Sequence, residues 1–215
     1  MNDNLGVKEN VVVVTEKNGV KKVVGEKKSF RDRLPNFLRN VSDPKLAEAF
    51  HKIGVIVVLE NQLTGRKQVI EGPPNIVTTV GNHYYAELAA GQVPTLTFAN
   101  ISLCTAGPNP VLVTSAWNDF TVYGDVDAVR AKTATYPKCP DVDADNTGLG
   151  ATVTSWKFEW TAADGPFVAI QWFLIAEAGA GAGATILSGY RWAVAWDKDA
   201  ATSCKVFVNH TFLGA

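Results

Sequence analysis

The last third of the chain alternates. In "SWKFEW", Trp156, Phe158 and Trp160 take every second place, with Lys157 and Glu159 between them. Along 186–196 the even positions include Ile186, Tyr190, Trp192, Val194 and Trp196; along 204–212 they are Cys204, Val206, Val208, His210 and Phe212. A period of two sends successive side chains to opposite faces, so each stretch reads as an antiparallel strand with one buried face. Shorter candidates lie at 95–104, 110–116 and 119–123, with turn residues between them. Many short strands so spaced predict a mainly β fold, an antiparallel β-sandwich. The same alternation places Trp156, Trp160, Trp172, Trp192 and Trp196 inward. At 215 residues and 47% hydrophobic content, a core of this kind needs no disulfide staples.

One stretch invites a different reading. "QWFLIAEAGAGAGATIL", residues 171–187, carries Gly179, Gly181 and Gly183. A dinucleotide-binding loop needs G-x-G-x-x-G and then a helix whose N-terminus faces the pyrophosphate. Here the spacing is G-A-G-A-G, strand periodicity follows, and no lysine completes a P-loop. The run is expected to be a turn between two core strands.

The front of the chain has another character. Residues 1–10 are polar and read as disordered. In "VVVVTEKNGVKKVV", residues 11–24, two β-branched runs flank Asn18-Gly19, a strong hairpin signal. A similar unit returns as "VIVVLENQLTGRKQVI", residues 55–70. Between them "SFRDRLPNFLRNV" and "SDPKLAEAFHKIG" have helical spacing, the second with Asp43 as N-cap, Pro44 in the first turn and Gly54 as stop. "EGPPN", residues 71–75, marks a boundary. The expected division is an N-terminal extension, 1–72, with hairpins and two short helices, and a sandwich domain, 73–215. "VGNHYYAELAAG" adds a short helix ending at Gly91.

Charge divides along the same line. Residues 1–72 hold 13 Lys and Arg against 9 Asp and Glu, a net +4; residues 73–215 hold 7 against 12, a net −5. The basic residues Lys21, Lys22, Lys27, Lys28, Arg31, Arg33, Arg66 and Lys67 are the candidate partner-binding set. They lack the interleaved aromatics of a nucleic-acid surface, so protein docking is expected and nucleic acid is not. No apolar run approaches the length of a membrane span, and no apolar signal segment opens the chain. The reading is a soluble protein made in a cytoplasm, with no membrane partner.

Motifs for chemistry are sparse. No G-x-S-x-G, H-E-x-x-H or Cys-His signature occurs, so no catalytic residue and no cofactor is assigned. Cys104, Cys139 and Cys204 lack C-x-x-C spacing and are expected as free thiols. "DVDADNTGLG" places Asp141, Asp143 and Asp145 at positions 1, 3 and 5 of a calcium-loop pattern. The pattern then fails, with Asn146 at position 6 and Thr152 at position 12. A solvated acidic loop is the expectation and a calcium site its alternative. Trp117, in "SAWNDF" near a turn, is the freest tryptophan and the candidate for stacking on a sugar.

Taken in order, the segments have a counterpart. "LTGRKQVIEGPPNIVTTVGNHYYAELAAGQ" resembles the opening of a class of small structural proteins of tailed bacteriophages. "TSWKFEWTAADGPFVAIQWFLIAEAGAGAGATILSGYRW" resembles their strand, turn, long strand, Gly-rich tip and strand. "VAWDKDAATSCKVFVNHTFLGA" resembles their closing strand pair. The resemblance covers about residues 60–215, and the first 60 have no counterpart in it. It implies a jelly-roll-like sandwich, no catalysis, and function through assembly in many copies. On that reading the chain is a virion protein, assembled in the host cytoplasm, that decorates or cements a capsid. Its partners would be the major capsid protein or other virion proteins and further copies of itself, a trimer on a local threefold being one form. The alternatives are a tail, collar or baseplate component, and a carbohydrate-binding module for host attachment that uses Trp117.

Overall fold

The computed structural model describes residues 14–17, 20–23, 54–72, 75–146, 153–177, 181 and 183–211. The chain divides into two compact units, Met1–His51 and Lys52–Ala215. In the first, β1 (Val14–Lys17) pairs antiparallel with β2 (Val20–Val23), Lys17 facing Val20. The helices expected between residues 30 and 53 lie outside the described residues.

The second unit is built from two antiparallel sheets. One has the order β4 (Lys67–Glu71), β3 (Val55–Asn61), β12 (Thr202–Thr211), β9 (Val153–Trp160). The other runs β5 (Ile76–Val77), β11 (Ile186–Lys198), β10 (Phe167–Glu177), β6 (Phe98–Ala106). Beyond β6, β7 (Thr121–Val122) and β8 (Val129–Ala131) pair with successive parts of its far edge. The expected hairpin at 55–70 is thus part of this body and not of the extension. Its strand β3 pairs with β12, Val57 facing Val206, and the compact unit begins at Lys52 rather than after residue 72.

A single apolar core joins the sheets. Val55 and Val57 of β3, Trp156, Phe158 and Trp160 of β9, and Val206 and Val208 of β12 meet Ile101 and Leu103 of β6, Phe173 and Ile175 of β10, and Trp192 and Trp196 of β11. Several rings in it meet edge to face: Trp192 and Trp196 are 5.4 Å apart at 89°. Period two holds through β9 and β12, where Cys204, Val206 and Val208 share the inner face with the β9 aromatics.

In β10 and β11 the alternation breaks. Pairing slips between Ile170 and Trp172, where the partners jump from Trp196 to Arg191, and again between Ile175 and Ala176. Extra residues in one strand of a pair turn the following side chains over. Trp172, expected inward, therefore lies in a second, outer cluster with Leu174, Ala176 and Ile186. Val194, also expected inward, is 76% exposed. Ala169 absorbs part of the irregularity with φ of 58°, a conformation side chains other than glycine's rarely adopt, held by its N–H donating to Asp197 Oδ1 at 2.6 Å.

Connections cover both outer faces. Residues 107–120 lie on the six-stranded sheet: Val111 and Phe120 pack on Cys104, Trp172 and Leu174, and Trp172 Nε1 donates to Pro108 O at 3.0 Å. The strand expected at 110–116 is absent, since this segment spends its length as a cover and not in a ladder. Residues 132–146 lie against the four-stranded sheet, and Lys138 bridges Ser155 at the outer edge of β9. Helix α1 (Thr79–Ala89), where a helix was expected, packs against β11. Its N-cap Thr78 accepts from Gly81 N–H at 3.0 Å and donates to Ile186 O at 2.6 Å. Of the Gly-Ala run between the antiparallel pair β10 and β11, residues 178–180 and 182 lie outside the described residues; Gly183 N–H donates to Asn118 Oδ1 at 3.2 Å.

Candidate functional site

The acidic loop is the densest ionic cluster in the body, and its partners come from three strands. Asp145 takes Lys205 of β12 at 2.6 Å and Lys67 of β4 at 3.1 Å. Asp143 takes Lys157 of β9 at 2.8 Å, and Lys157 also reaches Glu159 at 2.8 Å. Asp141 accepts from Tyr136 Oη at 2.9 Å and from Asn146 Nδ2 at 2.7 Å, and Asn146 continues to Ser155 and Asn209 on the sheet. Within the loop the carboxylates also brace the backbone: Asp143 N–H donates to Asp141, and Asp145 N–H to Asp143. Residues spaced by two therefore act as a clasp, with alternate carboxylates reaching the sheet's outward lysines.

Charge states follow from these contacts. Burial works to raise Asp143, but the Lys157 hydrogen bond, the Asp145 N–H and the lysine charges outweigh it and hold its carboxyl below the ordinary range. The hydrogen bond from Lys205 does the same for Asp145, against burial and with help from Lys67. Lys157 is raised, its two carboxylates outweighing burial. The three carboxylates considered for calcium thus turn to separate protein partners. Among the described residues no cluster of His, Cys, Asp or Glu is arranged to hold a metal ion.

Lys21 and Lys22 lie on β2, while Lys27, Lys28, Arg31 and Arg33 fall outside the described residues. Lys67, half-exposed on β4, reaches Asp145 at 3.1 Å and Glu60 at 3.7 Å. Arg66 is exposed, and its side chain forms no ion pair among the described residues. It stands with Lys67 beside a cleft of about 390 Å³, opposite Asp197 and Asp199 and flanked by Asn61 and Thr202. Both aspartates are occupied in turns: Asp197 holds Ala169 N–H, and Asp199 accepts from Thr202 Oγ1 at 2.5 Å and Ala201 N–H at 2.9 Å. The Thr202 hydrogen bond holds the Asp199 carboxyl below the ordinary range, so the cleft offers fixed anionic acceptors and one guanidinium.

Inside the body, His210 is fully buried, and burial pushes it down to about 3, so the ring is neutral. Cys104 and Cys204 are buried thiols and Cys139 an exposed one; burial pushes Cys104 up to about 12. Lys198 is buried with Nζ on the carbonyls of Ala162, Asp164 and Asp199, and desolvation lowers its pKa. Trp117, the sugar-stacking candidate, is half-buried and packs on the outer cluster around Cys104 and Trp172. Sequence reading missed Lys157 and Lys205 as functional partners of the acidic loop. Their only signal was a lysine at an outward position of each alternating strand.

Compared with known proteins, the chain matches no family model, no curated protein and no solved structure.

Proposed function

We propose that this chain is a structural protein of a tailed-phage virion that binds the capsid surface as a decoration or cement protein, working by assembly and not by catalysis. The observation that carries this reading is how the body spends its polar groups. The acidic loop and the lysines facing it are consumed in sealing one outer face, and the 107–120 cover seals the other. Two surface features of this body are left to meet other molecules, the edge of β4 and the cleft beside Arg66. The likeness of residues 60–215 to phage structural proteins gives the reading its concrete form. A jelly-roll-like wrapping belongs to the same proposal. It is supported by the chain's passing between the two sheets at β4–β5, β8–β9, β9–β10 and β11–β12, as strands do in Greek-key architectures.

Binding to a shell would bury apolar surface and add contacts from Lys21, Lys22 and Arg66 to acidic neighbours, raising the force needed to separate subunits. Gold-labelled antibody against the full chain, applied to purified virions, tests this. Label over the head facets supports decoration. Label at the tail, collar or baseplate replaces decoration with that location, and unlabelled virions contradict the proposal.

A further inference from the structure

An antiparallel edge strand turns the N–H and C=O of alternate residues away from its sheet. In β4 the phase is fixed at both ends: Asn61 N–H donates to Arg66 O at 2.9 Å, and Gly72 N–H to Val55 O at 2.7 Å. Gln68 and Ile70 share that phase and bond to β3. Lys67, Val69 and Glu71 therefore turn their main-chain groups outward, where no described strand pairs with them. All three residues are exposed, Val69 to 54%.

We propose that β4 pairs with β4 of a second copy, antiparallel, about a twofold axis through Val69. In that register Val69 faces Val69, and Lys67 of each copy faces Glu71 of the other. Each facing pair exchanges two main-chain hydrogen bonds, so every outward group of the strand is satisfied. Slipping the strands by two residues loses one of the three pairs and sets a charge against Val69. Slipping by four sets Lys67 against Lys67, or Glu71 against Glu71, which opposes like charges. The order Lys-Gln-Val-Ile-Glu thus selects one register of self-pairing.

A second feature points to the same seam. Val69 faces Val58, which is buried with Ile56 and Phe207 in a small apolar cluster on the outer face of the sheet, so Val69 is the exposed rim of that cluster. Self-pairing covers both copies of Val69 and extends the two clusters to the seam. A twofold pairing of identical edges closes at two copies. It is independent of any role in a virion, and it excludes a trimer as the basic unit.

Light scattering on the full chain over a dilution series from millimolar downward tests the pairing. The expected mass at high concentration is twice the chain's 23.1 kDa. Val69→Pro deletes the outward N–H while leaving the β3 bonds, because that N–H faces away from β3; it is expected to be monomeric with an unchanged circular dichroism spectrum. Glu71→Lys and Lys67→Glu are each expected to be monomeric alone, and to form a heterodimer when mixed, since each then offers the other opposite charges. A monomeric or trimeric native chain overturns the proposal, as does a Val69→Pro variant that dimerises like the native chain.

Discussion

Tyr85 Oη lies 2.5 Å from His210 Nδ1, a contact that ties helix α1 to β12, an inner strand of the four-stranded sheet. Trp156 Nε1 donates to the same oxygen at 2.8 Å, while Asn75 and Ser188 meet His210 Nε2 at 2.7 and 3.1 Å. With the Asn75 amide donating to Nε2, the ring's one proton sits on Nδ1, toward Tyr85. Asn75, Tyr85 and Ser188 thus converge on a neutral imidazole that water does not reach, with Trp156 behind Tyr85.

That neutrality makes stability depend on pH. The unfolded chain protonates His210 below about 6.5, but the folded chain resists until about 3. The unfolded state binds more protons in this window, so stability is full above it and falls as pH drops through it, by up to about 1.4 kcal/mol per pH unit from this one group. Urea unfolding at pH 7, 6, 5 and 4 is expected to show the decline beginning above the carboxylate range. His210→Gln lowers stability throughout but flattens the curve between about pH 6 and 4.5. An equally steep curve in that variant would assign the decline to other groups.

The clasp gives a second expectation. Lys157→Met keeps an apolar stem over Phe207 and Tyr136 but leaves Asp143 without its ammonium partner. A hydrogen bond to a charged group contributes about 1.5–3 kcal/mol. Loss of that order in urea unfolding is expected, with faster proteolysis of the 132–146 segment as the local readout.

Calcium is expected to do nothing. Asp141, Asp143 and Asp145 are spoken for by Tyr136, Asn146, Lys157, Lys67 and Lys205. Melting temperature in millimolar calcium should equal that in chelator; a rise would mean that the carboxylates leave their lysines for the ion.

Gly81→Ala should reverse an ordinary rule. Alanine in a helix is favoured over glycine by about 1 kcal/mol. Yet a Cβ at Gly81 would run into the Leu187 backbone carbonyl of β11 and crowd Val77 Cγ1 at 2.9 Å. The variant is expected to melt lower, the overpacking costing about 1–3 kcal/mol. A higher melting temperature would mean that α1 does not press on β11 so closely.

Much of this architecture was legible from the alternation in β9 and β12, because strands that keep a strict pleat write their buried face into every second letter. β10 and β11 were only partly legible. Their register shifts reverse the facing of Trp172 and Ile186 and expose Val194, and a bulge is decided by the partner strand as much as by its own residues. The 55–70 hairpin was legible as a hairpin, but its place beside β12 was not. Turn residues record a local reversal, whereas its neighbour β12 lies far along the chain. The acidic loop was visible as a charge pattern, but its role depends on lysines at 67, 157 and 205, which only the folded sheet brings together. The β4 edge escaped notice for the same reason. Lys67 and Glu71 become complementary only once the strand is known to be at an edge and its phase is known.

The central claim is that this body meets other molecules through its open strand, and amide hydrogen exchange along β4 tests it most directly. In dilute solution the amides of Gln68, Ile70 and Gly72 should exchange slowly and those of Lys67, Val69 and Glu71 fast; at millimolar concentration the second set should slow to match the first. Fast exchange at Lys67, Val69 and Glu71 at every concentration, or slow exchange at both extremes, would contradict it.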